Sequence, residues 1–536
     1  MKKKNSTLAL FGFILTFLTF QISLSQVTQE WIARYNGPGD STDQATSMAV
    51  DNSGNVYVTG FSYGSGSSSD YLTIKYNQAG DTVWSRRYNG PGNKWDEANA
   101  IAVDTSGNVY VTGSSTGSGG IYFYTDYATI KYNSNGGEEW VRRYNGPGNL
   151  DDVSYSIAID RSGYVYVTGG SHGNGTSEDY ATIKYNANGS EQWVKRYTDF
   201  FGGRAFSVAV DRLGNVYVTG SSWDGGASLD DYLTIKYNSS GVLQWEARYN
   251  YMDYFSDAAY GIVIDSLGDI YVNGTRGTIK YNSEGIQQGS LIFGGNGPKS
   301  TALDYSGNFY ATGFIYGGTS NDYITKKYNA AGVQQWSLFY NGPEDSIDIA
   351  NCIAVDDYGN AYVTGRIDGS YNLSGDYGTI KYNSQGVMQW IERYDGPVNS
   401  YDEAVSIAID GSGNVYVTGK SIGNETGYDY ATIKYSQSTG ISQISSGIPE
   451  NFTLLQNYPN PFNPVTNLEF GISDLGFVSL KVYDILGKEV ATLVNEKLSP
   501  GKYKVEFDGS GLTSGVYFYR ITAGEFTDTK RMLLVK

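Results

Sequence analysis

Short runs of β-branched and aromatic residues recur along most of the chain, split by Gly, Asn, Ser and Pro. The clearest is D-x-x-G-N-V-Y-V-T-G at 51–60, whose head is Asp51 and whose relatives are headed by Asp104, Asp160, Asp211, Asp265, Asp304, Asp356 and Asp410. These heads stand mostly about 50–56 residues apart, a period in the range of propeller blades. Around each head the order repeats. W-x-x-R-Y-N-G-P-G, as at 31–39, 84–92 and 140–148, leads to an acidic residue and a short apolar run. G-N-V-Y-V-T-G follows, then a Gly/Ser loop and D-Y-x-T-I-K-Y-N, as at 70–77. The next Trp stands eight residues after that Tyr, as from Tyr76 to Trp84 and from Tyr382 to Trp390. Each unit therefore predicts four antiparallel strands joined by hairpins. In V-Y-V-T and T-I-K-Y both alternating positions carry sizeable side chains, so both faces of each sheet are expected to be buried. Four-stranded units stacked radially form a β-propeller.

The eighth unit ends at Tyr435, and Gln443 stands where its Trp is due. Near the start, Trp31-Ile32-Ala33-Arg34-Tyr35 is a Trp strand with no unit before it. That strand can complete the last blade and leave no open edge. The expected fold is all-β: an eight-bladed propeller over 26–436, with an open or superhelical β-array as the alternative. Units five and six are worn. Only Thr275, Arg276 and Gly277 separate Gly274 from Thr278, and Gly289 stands where Trp belongs, so one blade should be shorter at one rim. Residues 437–448 are small and uncharged and read as a flexible linker. Residues 449–536 hold strand-like runs at 478–483, 502–507, 515–521 and 527–535, which suggest a small β-sandwich.

The composition bears on compartment and partners. Tyr is extreme at 49 and Gly at 69, a chemistry of strands and turns. The net charge is −17, and the repeats carry about −19, because Lys2, Lys3 and Lys4 add three positive charges and 449–536 balance ten acids against nine bases. That sign argues against nucleic acid and anionic membrane surfaces, and permits cations, basic partners and sugars. Residues 1–25 read as a signal peptide: Lys2, Lys3 and Lys4 precede an apolar run over 8–20, and Ser23 and Ser25 suit a cut before Gln26. The run is shorter than the ~20 residues of a membrane span, so no span is expected after its removal. Cys352 is the only cysteine, which excludes an intramolecular disulfide and reads as a buried structural thiol.

The repeats resemble the bacterial β-propeller repeats called SBBP, on S-I-A-I-D-G-S-G-N-V-Y-V-T-G at 406–419 and its seven relatives. That family implies no common enzymatic activity. The tail resembles the C-terminal sorting domain of type IX secretion cargo, an Ig-like fold. The carrying residues are Asn457, Tyr458, Pro459, Asn460, Pro461, Phe462, Asn463 and Pro464, then Y-D-I-L-G-K at 483–488 and L-S-P-G at 498–501. Ser514, Gly515, Val516 and Tyr517 follow, and a closing run extends from Lys530 to Lys536. The resemblance implies that 449–536 engage a type IX-like secretion machinery and direct the protein through the periplasm to the medium or the outer cell surface.

Catalytic chemistry is sparse. His172 is the only histidine and sits in a Gly/Ser loop without a nucleophile elbow. A zinc site needs three or four His or Cys ligands. No phosphate loop follows the Gly-rich stretches. The acids, however, are ordered. Asp43, Asp96, Asp152, Asp257, Asp348 and Asp402 each lie eight residues before a head Asp, with Gly203 and Asn296 in that place in units four and six. A second series, Asp70, Asp126, Asp179, Asp231, Asp322, Asp376 and Asp429, precedes the T-I-K-Y strand. With the Trp strand outermost, both series enter strands of the same direction and fall on one rim. Either they cap turns and pair with Arg and Lys of the repeat, or they form a cation- or ligand-binding rim. No cofactor motif is present, and calcium is the ion that an oxygen-only rim would take. The head Asp reads as an Asx-turn residue.

The expectation is a secreted or surface-displayed, non-enzymatic module that binds polysaccharide or protein. The alternative is an exported polymer-degrading hydrolase or lyase that uses channel carboxylates.

Overall fold

The computed structural model describes residues 27–118, 123–175, 177–199, 201–223, 225, 230–251, 256–294, 297–369, 374–437, 441–445, 447–509 and 512–536. The expected signal peptide at 1–25 and Asn296 lie outside them. The chain divides into two compact units, one spanning Val27–Gln437 and the other containing Ser438–Lys536. Among the described residues no helix is long and apolar enough to cross a membrane.

Val27–Gln437 holds eight four-stranded antiparallel sheets. In the first, the strands run outward as Asp43–Val50, Val56–Tyr63, Ser69–Tyr76 and Thr82–Tyr88. Each innermost strand packs on the innermost strand of the next sheet, and Asp43–Val50 packs on Asp402–Ile409 of the last, so the ring closes. The outer strand of the eighth blade is Val27–Tyr35, paired antiparallel with Tyr428–Gln437. Arg34 fastens it to Asp429 at 2.8 Å across 395 residues of chain.

The motif residues fold each hairpin locally. Asp51 accepts the amide N–H of Ser53 and Asn55 on Oδ1, and the Asn55 amide and the Tyr57 hydroxyl on Oδ2. This is an Asx turn with all its carboxylate capacity engaged. Asn77 does the same for the outer hairpin through Ala79 and Asp81. Gly80 there has φ +87°, and a Cβ on it would meet the Trp31 indole at 2.7 Å. Only glycine satisfies both demands.

The Tyr and Trp excess is spent between blades. Trp84 Nε1 and Lys75 Nζ both donate to the Ser134 carbonyl in the outer hairpin of the next blade, at 3.3 and 3.2 Å. The indole lies between Tyr57 of its own blade and Tyr132 of the next, at 6.2 and 6.0 Å. Tyr71 Oη donates to the Ala128 carbonyl at 3.1 Å across the same junction. Eight apolar clusters, one per junction, repeat this packing. Each buried aromatic removes roughly 150–250 Å² from water, so each junction gains several kcal/mol, on the order of 25 cal/mol per Å².

The worn fifth blade is short at one rim, with Ile270–Gly274 and Gly277–Tyr281 joined by Thr275 and Arg276. Its outer strand Gln287–Ile292 carries Gly289 in the Trp place. Lys280 donates to the Ala330 carbonyl at 2.9 Å without the indole that accompanies it elsewhere. The missing ring is replaced from the neighbouring blade. Phe309 occupies a position that is Val56 in the first repeat, and it stacks on Tyr271 at 5.1 Å and contacts Tyr328 at 6.2 Å.

The C-terminal unit is two four-stranded sheets around one apolar core that includes Phe462, Leu480, Tyr519 and Leu534. Three strands, Thr453–Leu454, Val465–Ile472 and Glu489–Leu498, join the four expected, and an eighth comes from the segment before them. The expected linker at 437–448 is corrected here. Ile441–Ser445 is a strand paired with Gly501–Asp508, and Gln437 ends the propeller's own strand. The backbone of Ile441–Ser445 extends a sheet edge, which needs no strong side-chain signal.

Candidate functional site

The first Asp series stands at the entry of the innermost strands and is buried throughout. Asp96 Oδ2 accepts the Gly90 amide of the N-G-P-G crossover at 2.6 Å, and Oδ1 accepts the Thr116 amide at 3.0 Å. Asp43, Asp152, Asp348 and Asp402 hold Gly37, Gly146, Gly342 and Gly396 in the same way, and Asp257 accepts from Tyr251 at 3.0 Å. Gly203 occupies the corresponding place in the fourth blade. Burial pushes the carboxyls of Asp43, Asp96, Asp152 and Asp402 up, and that of Asp348 to about 6.

The second series meets the Arg of W-x-x-R-Y. Asp70, Asp126 and Asp179 pair with Arg87, Arg143 and Arg196 at 2.8, 2.8 and 2.7 Å. Asp429 pairs with Arg34 and Asp376 with Arg393. In the fourth blade Arg248 pairs with Asp199, and Asp231 begins the third strand. The sixth blade has Phe339 in the Arg place, and burial, with Asp345 nearby, raises the Asp322 carboxyl. Asp376, Asp395 and Asp402 bring carboxylate oxygens within 4.8 Å of one another, and Arg393 already holds the first of them.

A third ring comes from the innermost strands themselves. Every one has a register shift near its start, after its first, third or fourth residue, and the bulged residue is Thr46, Asn99, Tyr155, Phe206, Tyr260, Lys299, Asn351 or Val405. A bulge re-aims one side chain out of the pleat. Here it reaches along the channel wall to the next blade. Thr46 Oγ1 donates to the Ala98 carbonyl, and Asn99 and Asn351 donate to the carbonyls of Ser154 and Ala404. In blades three to five this position is aromatic. Tyr155 lies 5.4 Å from Phe206, and Phe206 lies 5.4 Å from Tyr260, which makes a continuous arc of three rings.

The arc runs into a cleft of about 480 Å³, opened by the short fifth-blade hairpin. Tyr260, Phe314 and Pro298 form its apolar wall, and Arg276 and Lys299 its charges. Reading the repeats by period misses this arc. The signal is the residue that follows a small one (Ala, Ser154 or Pro298) early in each innermost strand, a column with no fixed residue type from unit to unit. At the opposite mouth a cavity of about 730 Å³ is lined by the turn residues Arg161, Arg212, Leu213, Leu267 and Tyr305.

Six segments, 30–66, 83–120, 139–175, 204–226, 335–372 and 393–425, match the model of the Beta-propeller repeat. Residues 456–536 match the model of the Secretion system C-terminal sorting domain. The chain carries Beta-propeller repeats and a type IX sorting domain. The domain marks it for export to the cell surface or the medium. No curated protein sequence matches the chain significantly. Among solved structures, PorZ, a surface component of the type IX secretion system of Porphyromonas gingivalis, is 13% identical over 91% of this chain and 74% of its own, with TM-score 0.37. A fungal alcohol oxidase is 12% identical over 81% of this chain and 96% of its own, with TM-score 0.42. XC5397, a gluconolactonase from Xanthomonas campestris, is 14% identical over 55% of this chain and 89% of its own, with TM-score 0.30.

In the sorting domain the N-Y-P-N-P-F-N-P segment is tied to the final strand. Phe462 donates its amide to the Leu533 carbonyl at 2.9 Å, and its carbonyl accepts the Val535 amide at 3.0 Å. Asn460 Oδ1 accepts the Leu533 amide at 3.0 Å, and the Pro459 carbonyl accepts the Thr466 hydroxyl at 2.8 Å. The Pro464 carbonyl accepts the Gly509 amide. Tyr458, Pro461 and Asn463 remain exposed. Gly515 opens the strand Gly515–Ala523, where Tyr517 Oη donates to the Thr513 carbonyl at 2.9 Å. Lys530 lies 3.6 Å from Asp528, and the Lys536 amide donates to Ser514 Oγ.

Proposed function

We propose that this exported propeller is a binding module for a saccharide chain, held at the crossover mouth of its channel. The observation that carries the reading is the arc of Tyr155, Phe206 and Tyr260. Ring faces accept the C–H faces of sugars, and aromatic side chains supply rigid contact area at small entropic cost. A half-open arc beside a cleft suits a chain better than a compact metabolite. The role is binding rather than turnover, because the ordered carboxylates are committed to crossover amides and to Arg partners.

The full-length secreted protein should retain polysaccharides on an array, scored in parallel for cleavage products. Phe206→Ala and Tyr260→Ala should each weaken retention about tenfold, the loss expected of a well-packed aromatic contact. Retention unchanged in both variants would refute the arc as the site. Release of oligosaccharides would move the reading to a carboxylate-based hydrolase or lyase.

A further inference from the structure

We infer that the saccharide is anionic, and that Lys299 with Arg276 holds its carboxylate or sulfate at the end of the aromatic arc. This rests on the saccharide reading above and specifies its ligand. Lys299 is the bulged residue of the sixth blade, so it takes the place in the ring that follows Tyr260. Tyr260 and Lys299 line the same cleft. The Lys299 side chain is exposed, and its ammonium lies 5.7 Å from the Phe314 ring centre. Among the described residues it makes no ion pair. Arg276 reaches the cleft because the hairpin is only two residues long, and its Nε donates to buried Asp257 at 3.0 Å, which fixes its direction. Among the described residues that line the cleft none is acidic.

The charge contrast makes this selective. The chain carries −17 overall, and other stretches of the same rim hold Asp–Arg pairs that cancel locally. Asp257 offsets the charge of Arg276 in part, so the local positive field comes chiefly from Lys299, an exposed ammonium without an ion pair among the described residues, on a protein that otherwise repels anions. A polyanionic chain can enter only where that field exceeds the repulsion. Apolar walls at Pro298 and Phe314 lower the local dielectric and strengthen the contact. Carboxylate and sulfate share this chemistry, and a bidentate contact with the guanidinium would favour either.

The test uses the full-length protein and four probes: oligogalacturonate, its methyl ester, a sulfated galactan and a neutral xylan. Binding should occur with the acid or the sulfated chain and should weaken as salt rises. The methyl ester, with the same ring faces and no charge, should bind at least tenfold more weakly than the acid. Lys299→Met, at an exposed position, should lose about tenfold in affinity for the anionic probe and none for xylan. Binding of the acid alone assigns carboxylate, and of the galactan alone sulfate. Equal affinity for acid and ester, or an unaffected Lys299→Met variant, would overturn the anionic assignment and leave the saccharide reading standing. Absence of binding to all four probes would overturn both.

Discussion

The indole N–H of Trp390 donates to the side-chain Oε1 of Gln437 at 3.3 Å. In six other blades the acceptor of that bond is a backbone carbonyl in the next blade's outer hairpin. The eighth blade has no such hairpin, because its outer strand arrives from residues 27–35. Gln437 takes the hairpin's place. It also accepts from Lys381, and donates to the Gly413 carbonyl at 2.6 Å. Gln437→Ala should therefore cost about 1–3 kcal/mol, since two donors lose their acceptor at once. A urea melt checks this, and a shift no larger than that of Gln385→Ala, an exposed residue of the seventh blade's own hairpin, would contradict it.

Removing residues 27–35 strips the outer strand from the eighth blade and leaves Tyr428–Gln437 as a bare edge. Such edges pair with other chains. The truncated protein should melt lower and elute as oligomers in size-exclusion chromatography, whereas a monomer with the parent melting temperature would contradict the closure.

Phe309 and Gly289 form a compensating pair. Phe309→Val alone should cost about 2 kcal/mol through the cavity between Tyr271 and Tyr328. Gly289→Trp alone should gain nothing, because Phe309 fills the space. The double substitution should recover most of the loss, with a coupling of about 1–2 kcal/mol. A thermodynamic cycle on the four proteins measures it, and simple additivity would refute the compensation.

Asp348 is fully buried between the amides of Gly342 and Asp368, and burial, with Asp368 nearby, pushes its carboxyl up to about 6. The folded state then holds the proton more tightly than the unfolded chain does. Stability from this group is full below pH 4 and is lost as pH rises through 6, by on the order of 2 kcal/mol. Denaturant midpoints taken from pH 4 to 7 should show the decline, and Asp348→Asn should remove that share of the slope. An unchanged slope in the variant would show that Asp348 is not the group responsible.

The sorting domain includes Ile441–Ser445, so the natural cut lies after Gln437. A chain ending at Gln437 should fold and collect in the periplasm of its host. One ending at 448 should also stay there, but with a stray strand and greater aggregation. Normal export of either form, measured by fractionation, would separate the domain from sorting.

Much of this architecture was legible in the sequence. The eight-residue step from Tyr76 to Trp84 is the outer hairpin, and the stranded Trp31 implied the closure. The Asp series were legible as an order, and capping with Arg pairing was one of the two chemistries that the repeat offered, but the particular partners were not legible. Their partners, Arg87 and the Gly90 amide, are reached through strand pairing and the blade crossover rather than through spacing. The arc was hidden for a related reason. Tyr155, Phe206 and Tyr260 stand some fifty residues apart within ordinary apolar runs, and only a bulge distinguishes them from core residues. Phe309 was equally silent, because a Val-to-Phe change in one repeat has meaning only beside a Gly in another. The strand Ile441–Ser445 lacks a hydrophobic alternation that would mark it in the sequence.

The pairing of Val27–Tyr35 with Tyr428–Gln437 also orders events in time. In a chain delivered from its N-terminus, that first strand waits until the last repeat has emerged. A contact so distant would be slow in an unstructured chain, but each repeat that folds carries the two ends round the circle towards each other. Ring closure should thus be the last step in the assembly of the propeller. Until it occurs, the nascent protein has two free edges, a liability that any holding factor in the periplasm would have to cover.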